Sequence, residues 1–231
     1  MPPEKKVRTS PRLSLSKLAE FLTASPLRQR SILVEQKFPK SYVTARYTPA
    51  EGAIARFLQT GDAAVIDDAT ATLEAAGAGT EWEADQNRLC AEAISAFLDV
   101  ADDVLGRGLV FERSENHVPS IAVAGVDVSV RPELLARDGD RRVRGAVKLY
   151  FSKSHPLGDD GGAYATALLH HWSSTAHVLP GTEPGLRACV LVDVFAGRVY
   201  EAPKAYKQRL KNVGAACQTI AAVWPTLSDN A

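Results

Sequence analysis

The chain has 231 residues and balances 27 Lys+Arg against 27 Asp+Glu, for a formal net charge of zero. That length builds one sizeable core, or a small domain beside a medium one, and the ordinary apolar and charged fractions are those of a globular chain. Zero net charge excludes a global field for polyanions, so nucleic-acid affinity has to come from a local patch.

The charge is unevenly spread. From Met1 to Tyr47 the cations (Lys5, Lys6, Arg8, Arg12, Lys17, Arg28, Arg30, Lys37, Lys40 and Arg46) outnumber the acids Glu4, Glu20 and Glu35. From Glu51 to Leu105 only Arg56 and Arg88 are basic. Such asymmetry marks either a nucleic-acid surface, with Arg28, Arg30 and Lys37 as its contacts, or a basic segment docking on the chain's own acidic one. Cys90, Cys189 and Cys217 are odd in number, far apart and without a Cys-x-x-Cys pair. They read as buried free thiols in a reducing compartment rather than a zinc site. The chain shows no secretory h-region and no apolar run long enough to span a bilayer, so a cytoplasmic protein without a membrane partner is expected.

Met1 to Arg12 reads as a loose basic arm. Ser14 caps a helix with the stripe Leu15, Leu18, Ala19 and Leu22, and Ser25-Pro26 opens a second helix that ends at Phe38-Pro39. Thr48-Pro49-Ala50-Glu51 reads as an N-cap, a proline at the first helical position and a glutamate closing a capping box. A short helix from Ala63 to Ala76 stops at Gly77 and Gly79. Residues 1–80 thus form a small helical N-terminal region with a basic arm, either a DNA-binding head or a cap on the main domain.

Residues 81–231 read as the main α/β core. Asn87 to Leu105 carries the longest apolar stripe in the chain. Strands follow at Leu109–Glu112, Ser120–Val130 and Val143–Ser152, with Pro132 and the charged stretch Arg137 to Arg142 as a turn between the last two. A helix from Ala163 to Ala176, a Pro/Gly loop from Pro180 to Gly185, a strand from Ala188 to Phe195, a short Val199-Tyr200 strand and a helix from Lys204 to Trp224 complete the order. Three strands between helices, then helix and strand, predict a mixed central sheet flanked by helices. No Gly-rich phosphate fingerprint follows any strand, against a dinucleotide or P-loop site.

Alternation puts Asp127 and Ser129 opposite Val126, Val128 and Val130, and Lys148 opposite Val147 and Leu149. If these two strands pair, Asp127 and Lys148 meet on one face. That arrangement suits a metal-dependent nuclease and equally an ordinary cross-strand ion pair. His170 and His171 are adjacent on a helix and point to different faces, against a shared metal.

The element order and these two strands resemble the PD-(D/E)XK nuclease superfamily, the restriction-endonuclease-like fold, over roughly residues 87 to 200. Asp127 matches the acid of the first motif. Ala146-Val147-Lys148 stands where the family has an acid, any residue and a lysine: the lysine is in place and the acid is not. Glu92 matches a glutamate that some branches carry on the first helix, and Tyr164 is a counterpart on the helix after the second motif. The resemblance implies Mg²⁺ held by Asp127 and Glu92, with Lys148 stabilising charge at phosphorus. Helical angle places Glu92 off the buried stripe and beside Arg88, so a surface acid is its alternative. The expected function is a divergent metal-dependent nuclease acting on nucleic-acid phosphodiesters. The alternative is a catalytically inactive nuclease-like module that binds DNA or a protein partner as an accessory in defence or repair; the expected partners are nucleic acid and a protein partner or a homo-oligomer.

Overall fold

The structure, a computed structural model, describes residues 7–39, 46–76, 79–115, 119–176 and 183–229. Residues 1–6 of the expected basic arm, Gly77, His117 and Pro180 lie outside them.

Two mixed sheets are flanked by helices, as the element order predicts. The larger has five strands in the order β2 (Val110–Arg113), β5 (Leu134–Arg137), β6 (Val143–Tyr150), β7 (Cys189–Asp193) and β8 (Arg198–Glu201). Only β6 and β7 are parallel, joined by the crossover helix α7 (Gly158–Ala176). The smaller sheet pairs β1 (Arg12–Ser14) in parallel with β4 (Val126–Ser129), which pairs in turn with β3 (Ile121–Val123).

Side-chain alternation along β6 separates two cores. Ala146 and Tyr150 join one with α1 (Leu15–Thr23), α2 (Pro26–Lys37), α7, α8 (Tyr206–Val223) and the small sheet. Val147 and Leu149 join the other with α3 (Thr48–Thr60), α4 (Ala64–Ala75), α5 (Glu81–Leu98) and the short α6 (Ala101–Leu105). Both faces of the sheet are therefore covered, which explains why β7 is buried at every residue. The residues before 81 split between these cores: α1 and α2 cover one face, α3 and α4 the other.

The caps at Ser14 and Ser25 form as expected, accepting from Lys17 N–H at 3.2 Å and Arg28 N–H at 3.4 Å. Elsewhere the structure corrects the sequence reading. The segment expected as one strand from Ser120 to Val130 is a hairpin, because Ala124 (φ 44°) and Gly125 (φ 85°) both take the left-handed conformation of a tight two-residue turn. The expected long helix begins at Thr80, whose hydroxyl caps Glu83 N–H, and breaks at Asp99–Val100. A strand, β5, lies where only a turn was expected. Cys90, Cys189 and Cys217 are buried and unpaired, and burial pushes the Cys189 thiol up to about 12.

Gly145 is required by the parallel pairing of β6 and β7. A Cβ there would press on the backbone carbonyl of Ala188, which cannot yield as a side chain does. Gly145→Ala is expected to cost about 1–3 kcal/mol, read as a lower urea midpoint with unchanged slope.

Candidate functional site

Asp127 and Lys148 do not meet. Asp127 lies in the small sheet, where its neighbour in register is Arg12 on β1, and its Oδ2 is 3.3 Å from the Arg12 Nε. Lys148 lies in the large sheet between β5 and β7. The expectation failed because the hairpin turn at Ala124-Gly125 takes β4 away, and β5 occupies the place beside β6.

The acid that does meet Lys148 is Glu133. Leu134 pairs with Val147, so Glu133 is the cross-strand neighbour of Lys148, and its backbone N–H donates to the Val147 carbonyl at 3.0 Å. Pro132 before it has no N–H to offer the ladder, so regular pairing begins only after it. The Glu133 carboxylate takes one hydrogen bond from Lys148 Nζ and another from Leu149 N–H at 2.5 Å. Its side chain is 4% exposed and that of Lys148 18%. Burial pushes the Glu133 carboxyl above the usual range, although Lys148 and the Leu149 N–H pull the other way.

These two residues form the floor of a cleft of about 360 Å³ whose walls include Glu51, Arg113, Ser114 and Arg131. Glu51 comes from the first turn of α3. The capping box expected there is not made: Tyr47 is the residue before the helix, with no side-chain cap, and Glu51 Oε1 sits 3.4 Å from Arg113 instead. Arg131 is exposed. Ser114 is 8% exposed, and its hydroxyl has no hydrogen-bond partner. The cleft carries three cations (Arg113, Arg131, Lys148) and three acids (Glu51, Glu115, Glu133), and the orphaned Ser114 hydroxyl, closed to solvent as it stands, reaches an outside acceptor oxygen only by turning toward the opening.

Glu92 is not part of this cleft. It is a surface acid on α5, 2.5 Å from Lys153 Nζ and 3.8 Å from Arg88. Asp127 and Glu92 thus stand at different places and do not form the expected Mg²⁺ pair. Ala146, at the position of the missing acid, is fully buried. The cleft itself does not fit the ion well: both Glu133 oxygens are held by protein donors and Glu51 is paired with Arg113. Among the described residues no group of three His, Cys, Asp or Glu side chains is placed to hold a metal.

The expected nucleic-acid contacts divide. Arg28 is tied to Glu20 at 2.7 Å and Glu35 at 2.8 Å. Lys37 is buried, its ammonium donating to the carbonyls of Trp224, Pro225 and Leu227. Arg30 is exposed on α2. Tyr164 accepts from Asn212 at 3.2 Å, on the α8 side and away from Lys148. His170 is buried against Tyr206, with Nε2 3.2 Å from the Pro184 carbonyl. Among the described residues no helix is long and apolar enough to cross a membrane.

No protein-family model matches the chain, and no curated protein matches it.

Proposed function

We propose that the protein is a nuclease-like module that takes a nucleic-acid phosphate in the cleft above Glu133 and Lys148, with binding rather than metal-assisted hydrolysis as its activity. The observation that carries this reading is the orphaned Ser114 hydroxyl beside a buried acid–lysine pair in a cleft bearing Arg113 and Arg131. Glu133 fixes the Lys148 ammonium in one place, Arg131 supplies an exposed positive charge at the rim, and Ser114 donates to a phosphate oxygen. The resemblance to the PD-(D/E)XK superfamily supports the same place. Of the residues that carry the resemblance, Lys148 on β6 lies in this cleft and Asp127 does not, while Glu133 on the neighbouring segment supplies the acid beside the lysine.

Hydrolysis is the second reading, favoured by Glu51 lying in the same cleft as Glu133, near enough to add to the upward push on its carboxyl. Labelled single- and double-stranded DNA, incubated with and without Mg²⁺ or Mn²⁺, separates the two. Binding that weakens with salt and never turns over is expected. Metal-dependent cleavage that disappears in Glu133→Gln establishes the second reading, and no binding to either DNA removes both.

Ser114→Ala gives a sharper test, because it deletes an unsatisfied buried group and so does not impair folding. Loss of a hydrogen bond to a charged oxygen, about 1.5–3 kcal/mol, predicts roughly ten- to hundredfold weaker DNA binding. A variant that is more stable and binds as before shows that Ser114 plays no part in recognition.

A further inference from the structure

A second feature lies about one helical turn from Glu51, at the wall of the cleft. Tyr47, Phe151 and Phe195 come from three separate segments: the residue before α3, the residue after β6 and the turn after β7. The rings of Tyr47 and Phe151 are stacked, with centroids 5.2 Å apart and planes 12° from parallel, and Phe195 meets Tyr47 edge-on at 5.5 Å. All three are only half-buried, although they pack on the core beneath α3 and α5. Lys153 Nζ stands 4.9 Å from the Phe195 ring centroid.

The rim of this aromatic group is charged. Arg46 pairs with Asp85 at 2.7 Å, and Arg88 and Lys153 each approach Glu92. Arg46, Arg88 and Lys153 face Asp85 and Glu92, so the rim keeps one positive charge in excess. The group lies past the carboxyl ends of β6 and β7, the parallel pair of the sheet, where open α/β sheets commonly hold ligands.

Position links it to the cleft. Tyr47 immediately precedes α3 and Glu51 lies in its first turn, four residues on, its N–H donating to the Tyr47 carbonyl at 2.8 Å. Residues at that spacing are neighbours on a helix surface. The Glu51 wall of the cleft therefore has an aromatic side chain about one helical turn away. On the strand side, Phe151 just after β6 leaves on the side of Val147 and Leu149, the face of the sheet opposite Lys148.

We infer that Tyr47, Phe151 and Phe195 form a stacking platform for an unpaired nucleobase, so that the ligand of the cleft is single-stranded nucleic acid. The inference rests on the phosphate reading of the cleft. Stacked aromatic rings beside cations are the sequence-tolerant way of holding single strands, because every base has a π-face. A duplex keeps its bases in the stack and offers the platform nothing.

The test compares three fluorescent ligands by anisotropy on the full chain: a strand of about 12 thymidines, an abasic strand of the same length and charge, and a duplex. The thymidine strand is expected to bind about five- to a hundredfold tighter than the abasic strand. Tyr47→Leu is expected to erase that margin and Tyr47→Phe to keep it. The abasic comparison uses the unaltered protein, so it decides the matter even if Tyr47→Leu fails to fold. Equal affinity for thymidine and abasic strands, with Ser114→Ala and Arg131→Ala weakening both, overturns the platform and leaves the cleft standing. Equal affinity for duplex and single strand also overturns the platform. If no ligand binds in a way that responds to Ser114 or Arg131, both readings fall together.

Discussion

Lys148→Met is expected to destabilise the protein by about 3–5 kcal/mol near pH 8, well beyond the loss in Glu133→Gln. The asymmetry follows from burial. Without Lys148, a carboxylate that is 4% exposed loses its counter-ion and keeps only the Leu149 N–H. Without the Glu133 charge, the Lys148 ammonium, 18% exposed, still reaches water through the cleft. In the double variant the glutamine oxygen continues to accept from Leu149 N–H, and a methionine replaces the ammonium without leaving a charge behind. Most of the Lys148→Met loss should therefore be recovered.

The pH dependence gives an independent reading of the same pair. In the folded chain burial raises the Glu133 carboxyl above its ordinary value. A carboxyl raised on folding binds its proton more tightly in the folded state. Its contribution to stability therefore falls as pH climbs from the ordinary glutamate range, about 4.3, through the folded value. Lys148→Met raises the folded value further, so its deficit should shrink on going from about pH 8 to about pH 5. Glu133→Gln should flatten the slope. Urea melts of the variants at the two pH values check this. Equal losses in both single variants, unchanged by pH, contradict a buried carboxylate held by Lys148.

What was legible in the sequence was what depends on neighbours a few residues apart. Alternation along Gly145–Tyr150 gave β6, with Lys148 leaving the side opposite Val147 and Leu149. The i, i+3, i+4 stripe of α5 and the Ser14 and Ser25 caps are equally local. Glu133 was missed because its strand is only four residues long, follows a proline and carries Leu-Leu-Ala, which mark no strand. The Ala124-Gly125 turn was missed because alanine is not a residue that signals a left-handed turn. Those two omissions put β4 where β5 belongs and chose Asp127 over Glu133. Glu51 was visible only as the last residue of a capping box. The aromatic cluster of Tyr47, Phe151 and Phe195 is invisible to any local pattern, since it exists only once the residue before α3 meets those just after β6 and β7.

Lys37 makes the same point through an expected loss. The sequence placed it among the nucleic-acid contacts, as an exposed cation on a basic helix. The structure has it 9% exposed, at the end of α2, with its ammonium donating to the carbonyls of Trp224 at 2.8 Å, Leu227 at 3.0 Å and Pro225 at 3.2 Å. These carbonyls lie in and just after the short 3-10 turn that follows α8, where the Trp224 carbonyl also accepts from Leu227 N–H at 3.4 Å. Trp224 closes the same junction from its other side by donating its indole N–H to the Arg8 carbonyl at 3.2 Å. Lys37 thus ties the chain's last helix to its second. Lys37→Met keeps the apolar stem and strips the donors from three carbonyls, one of them in a fully buried bond, so a loss of about 2–4 kcal/mol is expected. Because the ammonium is committed to the protein, the salt dependence of DNA binding should not change in any Lys37 variant that remains folded. A phosphate contact would instead reduce the slope by about 0.9. Arg30→Ala, which removes an exposed cation about two turns away on the same helix, is the comparison that shows whether α2 meets nucleic acid at all.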